Sequence, residues 1–353
     1  METPRARAAR FCAGWGLRVP ILQAPMAGAS PPALAAAVAN AGGMGGLGAL
    51  TSGPDAMLAW GAAVRAASNG AFQVNLWVPD PPPARDPVRE DAARAALRAL
   101  GPEPPEAGDG PWTEDYAAQC AALLRLCPAV ASSVMGLFEP GFVAQLKARG
   151  IRWVAAATTL EEALAAEAAG ADAVAAQGSE AGGHRGSFED AAAGRRDLPL
   201  MALLPRLADA LRVPVIAAGG IMDGRGVAAA LCLGASAVQM GTAFLRCPET
   251  ALPAPYARAL AAATGEDTVP TRAFSGRLAR SIANDATRAF ESARPAPYPI
   301  QRHLAAPMRA AAQAADDPGR MQLWAGQGVA LGRAEPAGEL VARVWREAEV
   351  LLA

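Results

Sequence analysis

The chain has 353 residues, 52% hydrophobic and 18% charged, a balance that excludes a disordered polymer and supplies ample material for one large core or two smaller ones. Its 32 basic and 33 acidic residues leave a net charge of −1, so nothing in the balance draws it to nucleic acid or an anionic membrane, and a small-molecule partner is expected. The five cysteines are scattered, with no C-x-x-C pair and no histidine at metal-ligand spacing, and read as free thiols of a reducing cytoplasm with no metal site.

From the N-terminus, the basic start METPRARAAR leads into no sustained apolar run and no small-residue cleavage site, so a secretory leader is not expected. No apolar run reaches the roughly 18 residues of a membrane helix. The first strand is expected at Val19–Ala24, then a helix at Pro32–Asn40, a strand at Gly45–Ala49 and a helix at Asp55–Ala67 opened by Pro54. The third strand, Phe72–Trp77, is followed by a Pro-rich insertion at about 79–111 that carries a helix, Asp86–Leu100. The repeat then resumes. Strands are expected at Ala129–Val134, Trp153–Ala157, Ala173–Gln177, Val215–Ala218 and Ala237–Met240, with helices at Gly141–Arg149, Leu160–Ala169, Leu200–Leu211 and Arg225–Leu233. Thr158 and Thr159 with Glu162 cap one helix start, and Gly150, Gly170 and Gly234 close three helices. Strands that are continuously apolar are buried on both faces, as in a parallel sheet covered by helices. Eight such units predict an α/β fold of the (β/α)8 TIM-barrel type over residues 1–251. Residues 252–353 show no further βα unit and predict a smaller cap subdomain over one barrel mouth, joined there by the insertion.

Active sites of such barrels lie where strands run into their following loops, and a phosphate site is common after strands seven and eight. Those strands end in Ala218-Gly219-Gly220-Ile221 and Gln239-Met240-Gly241-Thr242. Each glycine motif reads as a tight turn or as a phosphate cradle, and the pair at these two positions favours the cradle. The sixth strand ends in Gln177-Gly178-Ser179-Glu180-Ala181-Gly182-Gly183-His184-Arg185-Gly186. His184, one of only two histidines, is expected on a mobile loop facing the mouth. It is either a packed loop histidine or a base suited to proton abstraction near neutral pH. Glu180 could orient it, but an exposed loop carboxylate is the expected role. Gln23-Ala24-Pro25-Met26-Ala27-Gly28 after the first strand leaves room for a flat ring. The Asn75 amide would bond either a cofactor or its own turn.

The motifs VPILQAPMAG, FQVNLWV, QGSEAGGHRG, PVIAAGGI and GASAVQMGTAFL, with GRLARSIAN, PYPIQRHL and LWAGQG in the C-terminal part, resemble in order the signatures of the nitronate monooxygenases, once called 2-nitropropane dioxygenases. The resemblance runs over nearly the whole chain. It implies non-covalent FMN, with Ala24, Pro25 and Met26 against the ring, Asn75, Gln177, Gly182 and Gly183 on its edge or ribityl side, and Gly219, Gly220, Gln239, Met240, Gly241 and Thr242 at the phosphate. His184 takes the active-site position and Tyr298 the substrate pocket. The implied reaction is oxidation of alkyl nitronates, with nitroalkanes as a second substrate class, by dioxygen to a carbonyl compound and nitrite. Two departures bear on the substrate: Ser132–Gly136 lacks an expected aromatic, and Arg302-His303 stands where a smaller polar pair is usual. The rival expectations are an FMN-dependent NAD(P)H reductase, of enoyl-acyl-carrier-protein or quinones, and a barrel that binds FMN without turnover.

Overall fold

The computed structural model describes residues 2–250 and 252–353. Its strands are β1 (Ile21–Gln23), β2 (Gly45–Gly48), β3 (Phe72–Trp77), β4 (Val130–Val134), β5 (Arg152–Ala157), β6 (Ala173–Gln177), β7 (Gly183–His184), β8 (Val215–Ala218), β9 (Ala237–Met240), β10 (Thr268–Thr271) and β11 (Ala279–Ile282). Eight of them form one parallel sheet in the order β1-β9-β8-β6-β5-β4-β3-β2. A parallel bridge between Leu22 and Met44 joins β1 to the neighbourhood of β2 and brings the ring round on itself. This is the expected TIM barrel, and every expected strand is present within two or three residues of its predicted ends. Thr159 caps the helix Leu160–Ala168 by accepting from the Glu162 amide, and Gly150, Gly170 and Gly234 follow their helices in the left-handed region.

Three features were not read from the sequence. The helix Pro4–Trp15, capped by Thr3, plugs the lower end of the barrel: its Phe11, Cys12 and Trp15 share a core with Leu22, Met44, Val130, Val154, Ala173, Ile216 and Ala237. The helix Tyr116–Leu126 covers the step from β3 to β4. The last helix, Ala337–Leu351, lies beyond the boundary expected at 251/252 and packs on the helices Gly224–Cys232 and Pro32–Asn40. It takes the ring position after β9, because its buried stripe of Leu340, Val341, Val344 and Ala348 is continuous with the barrel core.

The rest of the C-terminal part lies over the upper mouth with the insertion. Ala93, Leu97 and Ala107 share a core with Phe274, Ala286, Ala296, Ile300, Leu304 and Met308. A second core joins Leu260, Ile282, Met321 and Leu323 to Ala29 and Leu245 at the barrel rim. The insertion helix is Pro87–Arg98, with the Asp86 side chain accepting from the Arg89 amide.

Candidate active site

Between the upper ends of the strands and this covering layer lies a cavity of about 630 Å³. Its floor rests on a polar layer inside the barrel, which is unusual for a place lined by strands and is held by side-chain amides. Gln73 donates to the Gln23 carbonyl at 2.9 Å and to Gln239 Oε1 at 3.2 Å, which fixes the Gln239 amide at the cavity wall. Asn75, 7% exposed, donates to the Ser132 carbonyl and hydroxyl, both at 3.2 Å. It therefore ties β3 to β4 instead of capping its own turn. Gln177 accepts from the Gly186 amide at 2.7 Å and donates to the His184 carbonyl at 2.9 Å, so much of its bonding capacity holds the loop after β6.

At the ends of β8 and β9 the wall is backbone. Gly219 and Gly220 have φ of 128° and 67°, a region in which a side chain is strained. A Cβ on Gly219 would also stand 3.3 Å from the Ala181 nitrogen. Gly241 faces Ala24 across the cavity edge, where an added Cβ would come within 3.4 Å of the alanine methyl. The Thr242 hydroxyl accepts from the Gly326 amide at 2.9 Å, which leaves its proton free for an anionic oxygen. Gly182 has a different reason to be glycine: a Cβ there would sit 2.5 Å from the Gly326 nitrogen, because the segment of LWAGQG crosses the rim at that point.

His184 is not on a loose loop. Gly183 and His184 form β7, antiparallel to β11 with His184 opposite Ala279, so the covering layer grips the loop as a sheet. The imidazole Nε2 lies 2.7 Å from the hydroxyl of Ser275, which is 2% exposed. The Trp77 and Trp324 rings stand edge-on to it at 4.7 and 5.1 Å, supplying the aromatic surface that the end of β4 lacks. Burial lowers the His184 pKa to about 3, and the charges of Arg277, Arg302 and Arg309 push the same way, so the ring stays neutral. Arg277, 1% exposed, lies 3.5 Å from an Asp80 oxygen and 3.7 Å from one of Asp190. Glu180 does not orient His184 and is not a free surface carboxylate: both its oxygens accept from the Leu200 amide at the start of a helix.

Ala24, Pro25, Met26, Asn75, Gln177, Gly182, Gly183, His184, Gly219, Gly220, Gln239, Met240, Gly241 and Thr242 all line the one cavity. Tyr298 does not. Its ring lies 6.4 Å from that of Trp77, which lines the cavity, and 5.8 Å from the Arg277 guanidinium. Trp77, Ser275, Arg302, Arg309 and Trp324 do line it and were not picked out as site residues from the sequence. Only the departure at Arg302 signalled any of them.

A family model described as nitronate monooxygenase matches residues 12–347. A nitronate monooxygenase of Paraburkholderia phytofirmans is 45% identical over 340 residues, which span 94% of this chain and 93% of the relative. Among solved structures, the nitroalkane oxidase of Streptomyces ansochromogenes is 41% identical with a TM-score of 0.88, over 97% of this chain and 100% of the other. FabK from Thermotoga maritima is 27% identical with a TM-score of 0.76, over 97% and 96%. With the match extending from the helix under the barrel to the last helix of the ring, the chain belongs to the nitronate monooxygenase family of flavin-dependent oxidoreductases.

Proposed function

We propose that the protein oxidises alkyl nitronates, with nitroalkanes as a second substrate class, using FMN and dioxygen, and releases a carbonyl compound and nitrite. The observation that carries this reading is an imidazole held 2.7 Å from the Ser275 hydroxyl at one end of a cavity whose other end is glycine backbone. The residues fit FMN. Gly219, Gly220, Gly241 and the Thr242 hydroxyl would meet the phosphate without a Cβ in the way. Ala24, Pro25 and Met26 would lie against the ring, Asn75, Gln177, Gly182 and Gly183 would edge it, and Gln239 and Met240 would stand on the phosphate side. When bound, FMN supplies a two-electron acceptor that dioxygen can reoxidise.

His184 and Ser275 suit both forms of the substrate. The Ser275 hydroxyl is 3.3 Å from both the carbonyl and the amide of Arg277, so it can point its proton either way. If it donates to the Arg277 carbonyl, it accepts from His184 Nε2–H. Nδ1 then carries a lone pair that can take the α-proton of a nitroalkane, the nitronate anion formed beside it offsetting the burial and the arginine charges that disfavour the imidazolium. If it donates to Nε2, Nδ1–H becomes a donor to a nitronate oxygen. The walls of tryptophan beside the ring exclude water from that exchange.

A second reading, an FMN-dependent NAD(P)H reductase, would use the same barrel and the same glycine end of the cavity. Anaerobic rapid mixing separates the two. An alkyl nitronate alone should bleach the flavin while NADH and NADPH leave it oxidised. Rapid bleaching by NADH with none by any nitronate would overturn the first reading and install the second.

A further inference from the structure

A second cavity, of about 360 Å³, lies outside the first between Pro111, Trp112, Thr113 and Glu114 of the insertion side and His303 of the covering helix Ile300–Leu304. Leu50, Thr51, Arg302 and Arg309 line both spaces. Shared walls make the outer space a vestibule to the inner one, and two of the four shared residues are arginines.

Neither arginine has a carboxylate within ion-pair distance among the described residues, a state shared by Arg185, which bonds the Gln177 and Arg196 carbonyls, but not by Arg277 or Arg343. Arg277 has Asp80 and Asp190 beside it, and Arg343 has Glu335 and Glu347. Among the described residues the Arg302 guanidinium has neither a hydrogen-bond nor an ion-pair partner, and Glu114, in the vestibule wall, acts on it only from longer range. Arg309 is bonded to neutral oxygens alone, Gln322 Oε1 at 3.1 Å and the Arg302 carbonyl at 3.2 Å, and its Nε is buried without a partner. Burial and the charge of Arg302 push the Arg309 pKa down to about 10. Two half-buried guanidiniums that act on each other with no carboxylate paired to either repel. Gln301 and Leu304 anchor this helix without Arg302: Gln301 bonds the Ala273 carbonyl and the Ala296 amide, and Leu304 enters the core beneath. An anion in the cavity would relieve that repulsion, and a planar guanidinium matches the two oxygens of a nitronate as it does those of a carboxylate.

We propose that Arg302, backed by Arg309, is a specificity-determining residue that draws the anionic nitronate through the vestibule and holds it in preference to the neutral nitroalkane. The inference rests on the nitronate reading above, but its anion preference can be tested apart from it. In the flavin-loaded enzyme, the ratio of kcat/KM for propyl-2-nitronate to that for 2-nitropropane should fall roughly tenfold to a hundredfold in Arg302→Met, and Arg302→Lys should recover much of it. Equal losses on both forms would overturn the proposal. Isobutyrate, a non-oxidisable anion of the same outline as the nitronate, provides the independent arm, with tryptophan fluorescence as readout and neutral isobutyramide as control. Arg302→Met should weaken isobutyrate binding by about tenfold or more and barely move the amide. If isobutyrate binding depends on Arg302 while the wild-type enzyme turns over no nitronate, the proposed function falls and the anion site stands. If wild type and Arg302→Met bind isobutyrate alike, the site falls whatever the substrate.

Discussion

The two ends of the cavity are made of different material. At β8 and β9 the wall is peptide backbone, with Gly219, Gly220 and Gly241 contributing no side chain at all. Around β7 it is a set of side chains gathered from far apart: Trp77 from β3, Ser275 before β11, Arg302 and Arg309 from the covering helices, and Trp324 from the rim crossing. Backbone amides bind any group of the right charge and shape and fail when a Cβ intrudes. A side-chain wall tolerates backbone change but depends on the charge and protonation of each member. On the proposed function one end holds a cofactor and the other discriminates a substrate, so substitutions at the two ends should fail in different ways.

The largest expected effect is at the side-chain end. His184→Asn should cost roughly 100- to 10,000-fold on neutral nitroalkanes and far less on preformed nitronates, which have no proton to give up. Similar losses on both would move His184 from chemistry to architecture. At the backbone end, Gly219→Leu combines a left-handed φ of 128° with a 3.3 Å contact to Ala181. Flavin affinity, followed by absorbance of the purified protein, should drop by roughly tenfold or more. A fully yellow variant would break the assignment of that end. Ser275→Ala should lower kcat on nitroalkanes by about tenfold at nearly constant KM and flavin content, with Ser275→Thr closer to wild type.

The pH profile sharpens the same contrast. A histidine at its ordinary value would lose its base form below pH of about 6.5, about tenfold by pH 5.5. Here burial and then Arg277, Arg302 and Arg309 hold the pKa to about 3, so kcat/KM on a nitroalkane should show no acid limb near 6.5. A limb at that pH would mean that the imidazole is hydrated in the working enzyme. Thr159 lies outside both ends and caps a helix through the Glu162 amide at 3.2 Å. Thr159→Ala should cost about 1 kcal/mol of stability in a denaturation midpoint, with no change in flavin content.

The barrel was legible because its signals are local. Apolar runs, helix caps and closing glycines each act within a few residues of themselves, and eight repetitions of strand and helix leave few ways to arrange a parallel sheet. The paired glycines and His184 were legible for the same reason, since their meaning follows from standing at strand ends. What the sequence could not convey was pairing at a distance. Whether Gly183 and His184 sit on a free loop or in a sheet depends on β11, almost a hundred residues on. Whether Asn75 and Gln177 have amide protons to spare depends on Ser132 and on the path of the loop to Gly186. The helix Ala337–Leu351 belongs to the ring only because its buried stripe meets a gap that the other helices leave. Tyr298 stands beside Trp77 and the Arg277 guanidinium and not in the cavity wall, and neither of those is its neighbour in the chain. The sequence by itself determined the eight-unit barrel and the glycine end of the cavity, whose physics is that of short backbone segments. Only the tertiary structure decided the charge and walls of the substrate end, because those arise from burial and from side chains that meet nowhere but in the folded protein.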